Sequence, residues 1–265
     1  MKSGGKFDKL TTPEVIKYVD ENINTSIPDL ILKGIPFDLE PNLIINQILG
    51  RKKARKKLPT WYRNEMIIYP LLLNLEQTSS EITAHHKSKF LSGPSMIDLT
   101  GGFGVDDVYF SKKVDVLHYV EMNNDLAEIA CSNFKALGCN NIEVDNQDSI
   151  KKLEEDQQTY EWIYIDPSRR NKNEKVFLLK DSLPNILNYQ SLLKQKSRFL
   201  MIKTSPMYDI EMGYKELNGV KELHIISVKN EVKELLWVID WREKNTKDIK
   251  LYNYQSKKVY SYSRV

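Results

Sequence analysis

Four short stretches of this 265-residue chain set reactive side chains at the ends of apolar runs. "MIDLTGGFGVDD" puts Asp98 at the end of one run, with Thr100, Gly101, Gly102, Phe103 and Gly104 just behind it. "VLHYVEM" ends in Glu121 and Met122, and "NIEVDNQDS" leads to Asp148. "EWIYIDPSRR" closes on Asp166, Pro167, Ser168, Arg169 and Arg170. Glycines behind a strand let the backbone approach a ligand, and the N-terminus of the following helix favours an anionic group. A phosphate-cradling GxxxxGK[ST] loop needs a lysine after its last glycine, and none follows Gly104.

The carboxylates decide between the remaining ligands. A G-x-G-x-x-G dinucleotide fingerprint would put Asp107 where its third glycine belongs, and Asp106 would face a pyrophosphate. That repulsion disfavours a dinucleotide. A cationic ligand reverses the sign. S-adenosylmethionine carries an ammonium and a sulfonium and no phosphate. Asp98 would stabilise the ammonium, and the loop from Thr100 to Gly104 would run beneath methionine and ribose. Glu121, beside Met122, would accept the ribose hydroxyls, and Asp148 the adenine amino group. Asp148 could equally cap the helix "SIKKLEE". Pro167 removes a donor and fixes its turn, so Asp166 and the carbonyls after it point outward. Ligands of open parallel sheets bind at the strands' carboxyl ends, where all four acids fall.

The elements that must hold these residues follow a strand–helix rhythm from about residue 94. Strands are expected at "SMIDLT", "VLHYVEM", "NIEVDN", "EWIYID" and "RFLMIKTS". Helices are expected at "NNDLAEIACSNFKALG", stopped by Gly138, and at "DSLPNILNYQSLLKQK", interrupted by Pro184 near its start. "KELHIISVKNEVKELLWVIDW" gives two strands on a short turn, hence an antiparallel pair. The expected fold is α/β: a Rossmann-like, seven-stranded, mostly parallel sheet with a terminal antiparallel hairpin.

Residues 1–77 read as a small helical N-terminal domain, 78–245 as the sheet domain, and 246–265 as a further hairpin or the start of another module. Thr12 and Pro13 open one helix. "PNLIINQILGRKKARKK" forms another with a basic C-terminal end, and "LPTWYRN" breaks it. "QTSSEITAHHKSKFL" carries a capping box, with Thr78 or a neighbouring serine as cap and Glu81 reaching back.

A hydrophobic content of 41% and a charged content of 28% fit a globular protein. The longest apolar run, 66–75, is too short to span a bilayer and is interrupted by Pro70. The N-terminus lacks the apolar core of a signal peptide. Cys131 and Cys139 have neither metal-site nor disulfide spacing, so no metal is expected and the cytoplasm is the default location. Arg51, Lys52, Lys53, Arg55, Lys56 and Lys57 form a basic run suited to a polyanion, or else a solvated helix end. His85 and His86 either line the donor pocket or are ordinary satisfied histidines.

The motifs resemble those of class I S-adenosylmethionine-dependent methyltransferases. "DLTGGFG" is similar to their D-x-G-x-G-x-G motif, with Thr100 for the first glycine. Glu121 matches their acid after strand two, Asp148 their adenine-side acid, and "DPSR" their [DN]-P-P-[YFW] post. The likeness covers about residues 78–242. "SSEITAHHKS", "KLPTWY" and "DPSRR" further resemble a bacterial group within the trimethylguanosine-synthase-like branch, which modifies guanine N2 in RNA. That group usually continues into a ferredoxin-like and THUMP-like RNA-binding module, which would start near Val265. Ser168 and Arg169 replace the post's second proline and its stacking aromatic, and an arginine plane can still stack on a base.

The function expected is methyl transfer to a base nitrogen of RNA. Asp98 and the glycines would hold the donor, Asp166 to Arg169 would present the target, and the basic run with Arg170 would hold phosphates. Pyrimidine C5 methylation needs a nucleophilic cysteine, and neither Cys131 nor Cys139 is placed for it. The alternatives are a nicotinamide-dependent oxidoreductase, a catalytically silent RNA-binding scaffold, and a methyltransferase acting on small molecules or proteins.

Overall fold

The computed structural model describes residues 5–169, 178–246, 248–255 and 258–264. The N-terminal segment is helical: α1 (Pro13–Glu21), α2 (Ile27–Lys33), α3 (Pro41–Lys57), α4 (Pro59–Arg63), α5 (Leu72–Gln77) and α6 (Glu81–Ser88). The first four of these carry proline within their first two positions, where its missing N–H costs nothing. Ser80 is the cap of α6, accepting from Thr83 N at 3.3 Å. Glu81 does not reach back as expected. It accepts from the backbone N–H groups of Thr60 at 2.7 Å and Trp61 at 3.3 Å, stabilising the first turn of α4 instead.

The strand–helix alternation then runs β1 (Gly93–Asp98), α7 (Val105–Phe110), β2 (Val114–Val120), α8 (Asn124–Ala136), β3 (Ile142–Asp145), α9 (Ser149–Glu155) and β4 (Tyr160–Ile165). A two-stranded ribbon, β5 (Ser168–Arg169) with β6 (Ser182–Leu183), leads to α10 (Ile186–Lys196), β7 (Ser197–Thr204) and α11 (Ile210–Glu216). The chain closes with β8 (Val220–Val228), β9 (Glu231–Asp240), β10 (Ile249–Gln255) and β11 (Lys258–Arg264). Helices α8, α9, α10 and α11 each start on an Asn or Asp cap: Asn123, Asp148, Asn185 and Asp209.

The main sheet has the order β11-β10-β8-β9-β7-β4-β1-β2-β3. β3, β2, β1, β4 and β7 are parallel; β9 runs antiparallel between β7 and β8. The β8–β9 turn places Lys229 and Asn230 at positive φ, 54° and 65°, as a two-residue hairpin requires. The seven strands expected from sequence are present, and the small final hairpin extends them: β10 pairs in parallel with β8, and β11 pairs antiparallel with β10. A hairpin with little apolar surface gains its stability from an existing sheet edge.

Successive residues of each strand point to opposite faces. Met96, Tyr119, Trp162, Tyr164, Met201 and Leu236 share one apolar cluster with the N-terminal helices, including Trp61 and Leu58. Their neighbours Ile97, Val120, Ile163, Leu200 and Trp237 face a second cluster built with Leu153, Ile186 and Leu193. The N-terminal helices therefore cover the sheet face on which Asp98 and Tyr164 lie. The chain's direction across the sheet reverses between β1 and β4, the place where open parallel sheets form a ligand crevice.

Candidate active site

Asp98 and Asp166 stand at that reversal, one at the end of β1 and one just after β4. Asp98 is 1% exposed, and its Oδ1 accepts from Thr100 N at 2.7 Å and Thr100 Oγ1 at 3.0 Å. The same hydroxyl accepts from Asp166 N at 2.7 Å. Thr100, the residue that departs from the glycine motif, thus joins the two acids. Asp166 also pairs through Oδ2 with Lys203 Nζ from the end of β7. Pro167 is buried and Ser168 is exposed. Arg169 continues the backbone in β5, and Arg170 lies outside the described residues.

Glu121 is tied to the glycine loop: one oxygen accepts from Gly102 N at 2.8 Å and the other from Asn123 N at 2.7 Å. Tyr119 OH donates to Gly102 O at 2.5 Å. Of the three glycines, Gly101 and Gly104 are bare because of the protein's own rings. A Cβ on Gly101 would overlap Tyr119, and one on Gly104 would overlap Phe134. Gly102 shares a positive φ with Gly104, +63° against +78°, but the space around it is open, so the loop offers a free surface there. Met122, 72% exposed, stands at the surface beyond Glu121.

Two of the residues expected at the donor are used elsewhere. The Phe103 side chain is buried against Trp61, ring centroids 4.6 Å apart, and points toward the helical segment. Asp148 caps α9, accepting from Lys151 N at 2.9 Å, so the capping alternative describes its side chain. The histidines are satisfied ones. His86 is 1% exposed and bonds Tyr254 OH at 2.5 Å and His224 at 3.2 Å, while His85 lies on the exposed side of α6.

The basic run divides in the same way. Arg51 is buried on α3, paired with Asp20 and set 5.0 Å from the Tyr62 ring, so it holds helices together rather than facing solvent. Lys57 donates to the carbonyls of Leu75 at 3.0 Å and Glu76 at 2.7 Å, and burial, helped by Lys203 and Lys53, lowers its pKa to about 8. Lys53 pairs with Glu76 at 3.0 Å. Lys52, Arg55 and Lys56 are exposed and remain suited to a polyanion.

Beneath the crevice lies a charged cluster that the motifs did not reveal. Lys87 is fully buried and bridges Asp106 at 3.1 Å and Glu234 at 2.9 Å. Ser79 Oγ and Tyr164 OH donate to Asp106 Oδ2 at 2.8 and 2.9 Å. Asp107 is also fully buried, and no donor group among the described residues reaches either carboxylate oxygen. Burial raises its pKa well above the ordinary carboxylate value, and the nearby charges of Asp98 and Asp106 add to the rise. Burial likewise pushes Asp98 up to about 7. Lys203 had a visible trace in sequence, as a single lysine inside the otherwise apolar or small-residue stretch "FLMIKTS", whereas Lys87 follows two histidines in "ITAHHKS" and does not stand out.

Neither a protein-family model nor a curated protein matches the sequence. The structure is similar to that of the "putative methyltransferase from Porphyromonas gingivalis W83", with a TM-score of 0.82 and 28% identity over 97% of this chain. The chain spans 65% of the length of that structure. More distant likenesses include M. capricolum TrmK in complex with S-adenosyl-homocysteine, at TM-score 0.47 and 13% identity over 62% of this chain and 70% of that one. Another is an rRNA methylase from Streptococcus thermophilus, at TM-score 0.44 and 12% identity over 60% of this chain and 93% of that one. Likenesses of that size carry no weight for substrate or mechanism. The strand order and the first of these similarities define an α/β Rossmann-like methyltransferase fold with a terminal antiparallel hairpin. Among the described residues no helix is long and apolar enough to cross a membrane, and no cluster of His, Cys, Asp and Glu could hold a metal.

Proposed function

We propose that this protein is an S-adenosylmethionine-dependent methyltransferase that acts in the cytoplasm on a base nitrogen of RNA. The observation that supports this most is the pairing of Asp98 and Asp166 through Thr100 at the reversal of the sheet. The donor set suits a cation: acids at the ends of β1, β2 and β4, and an open Gly102 beside them. S-adenosylmethionine, when bound, supplies an electrophilic methyl group on a positively charged sulfur.

Asp98 would face the donor's ammonium, with the backbone of residues 100–104 and Glu121 along its ribose and Met122 farther out. Asp148 would contribute only through its place at the head of α9. Asp166 would accept the N–H of the target nitrogen, which leaves the nitrogen lone pair aimed at the methyl carbon. Pro167 and Ser168 would shape the turn, and Arg169 would stack on the base. The exposed Lys52, Arg55 and Lys56 would hold RNA phosphates, with Lys53 and Lys57 as rim contacts and Arg170 beside the target.

The finer likeness to the trimethylguanosine-synthase-like group rests on "SSEITAHHKS" and "DPSRR" and points to guanine N2. In the same reading, residues 1–77 present the RNA to the sheet domain. The test is mass mapping of modified nucleosides in cellular RNA with and without the protein. One methylated nucleoside should disappear with the protein, and should stay absent when Asp166→Ala is supplied in its place. RNA identical in all three cells rules out the assignment.

A further inference from the structure

Asp166 is fixed from two sides, by Thr100 at its backbone and by Lys203 at its carboxylate. The Lys203 side chain is 13% exposed and that of Asp166 is 34% exposed, so the lysine is the more deeply buried member of the pair. Lys203 points to the same sheet face as Tyr164, Met201 and Leu236, the face that holds Lys87, Asp106 and Glu234. Burial works against its charge, but Asp166, Glu234 and Asp106 together raise its pKa above the ordinary lysine value. The ammonium therefore stays protonated across the neutral range, and Glu234 and Asp106 are themselves held by the buried Lys87.

We propose that Lys203 is a positioning and selecting residue of the transfer site: it holds Asp166 toward the methyl acceptor and restricts that acceptor to a neutral N–H, such as a nucleobase amine, against an ammonium. The inference rests on the methyltransferase reading above. With Oδ2 occupied by Lys203, Asp166 offers its other oxygen to an incoming N–H. The target nitrogen forms a bond to the methyl carbon, the carbon–sulfur bond breaks with its electron pair left on sulfur, and the N–H proton passes to Asp166 and on to solvent. An isolated carboxylate in that place would attract a lysine side chain or a polyamine. Paired with Lys203 it is neutralised, and an arriving ammonium meets a like charge in a half-buried setting.

The experiment uses the full chain, isotopically labelled methyl donor, and four acceptors: RNA from cells lacking the protein, a free nucleoside with an exocyclic amine, a lysine-rich peptide, and spermidine. Label is expected in RNA and in neither the peptide nor spermidine. Lys203→Gln should lower kcat on RNA about 100-fold, the loss typical of a misplaced reacting group, while S-adenosylhomocysteine affinity and melting temperature stay near wild type. Lys203→Arg should recover at least a tenth of the activity. Wild-type kcat in Lys203→Gln, or wild-type transfer to spermidine or the peptide, overturns the assignment. The acceptor panel needs no variant and stands even if Lys203→Gln folds poorly. Transfer to the free nucleoside but not to RNA would end the RNA reading and leave Lys203 in its role.

Discussion

Asp98 and Asp166 end neighbouring parallel strands and are linked by a single hydroxyl, Thr100 Oγ1, which donates to one at 3.0 Å and accepts from the other's N–H at 2.7 Å. In the proposed function the donor side and the transfer side of the crevice would therefore share one atom. Thr100→Val keeps the shape and removes both bonds, each worth about 1 kcal/mol. We expect S-adenosylhomocysteine affinity and transfer each to fall about tenfold, since 1.4 kcal/mol is a factor of ten. Thr100→Ser should keep most of both. Calorimetry and single-turnover rates decide it, and unchanged binding in the valine variant would show the link to be idle.

The glycines of the loop should respond differently to alanine. At Gly101 a Cβ meets the Tyr119 ring, whose hydroxyl is itself held on Gly102 O, so the ring cannot swing away freely. Gly101→Ala should cost about 1–3 kcal/mol of stability through overpacking. Gly102→Ala meets no such wall and should cost about 1–2 kcal/mol, from its left-handed φ alone. Its added methyl lies at the open surface of the loop, so donor affinity should suffer more than stability. Urea midpoints paired with S-adenosylhomocysteine titrations separate the two, and a Gly101→Ala midpoint equal to wild type would contradict the packing account.

How much of this was readable beforehand depended on the distance over which each feature is made. Asp98, Thr100 and Gly102 act within five residues of chain, and their strand-to-helix turn was legible from apolar run, acid and glycine alone. The reason for Gly101 and Gly104 was not, because Tyr119 and Phe134 come from β2 and α8. Lys87 and Glu234 lie 147 positions apart in sequence, and only the fold makes them partners. Arg51 shows the reverse error: it has the composition of a phosphate contact, but its place on α3 turns it inward to Asp20. The extra edge pairing of β10 on β8 likewise had no local signal, since it depends on an edge supplied by residues 220–228.

That division of the basic run gives a salt-dependence test. Lys52, Arg55 and Lys56 are exposed, so replacing all three by alanine should weaken RNA binding and lower the slope of log K against log salt by about 2–3, roughly one per lost phosphate contact. Arg51→Ala should leave that slope alone and instead destabilise the fold, because it strands Asp20 and uncovers the Tyr62 ring. Filter binding at several salt concentrations, beside thermal melts, separates the two. An unchanged slope in the triple variant would remove this surface from the RNA path.

Stability against pH offers a test with two opposed signs. Burial pushes Asp98 up to about 7 and Asp107 well above the ordinary carboxylate value, so the folded chain keeps protons that the unfolded chain sheds near 3.8. Stability rises with pH only where the unfolded state binds more protons, so this pair makes it fall between about pH 4 and 7. His86 and His224 do the opposite. Burial holds His86 at about 3 and lowers His224, so below 6.5 the unfolded chain takes up protons that the folded one refuses. Their contribution is complete above 6.5 and is lost as pH falls toward 3. The two slopes offset each other in the wild type, and variants expose them. Asp107→Asn should gain stability relative to wild type as pH rises from 4 to 7, while His86→Phe should flatten the loss on acidification. Urea unfolding at pH 4.5, 5.5, 6.5 and 7.5 measures both, and variant curves running parallel to wild type would mean that these buried groups do not titrate as their surroundings require.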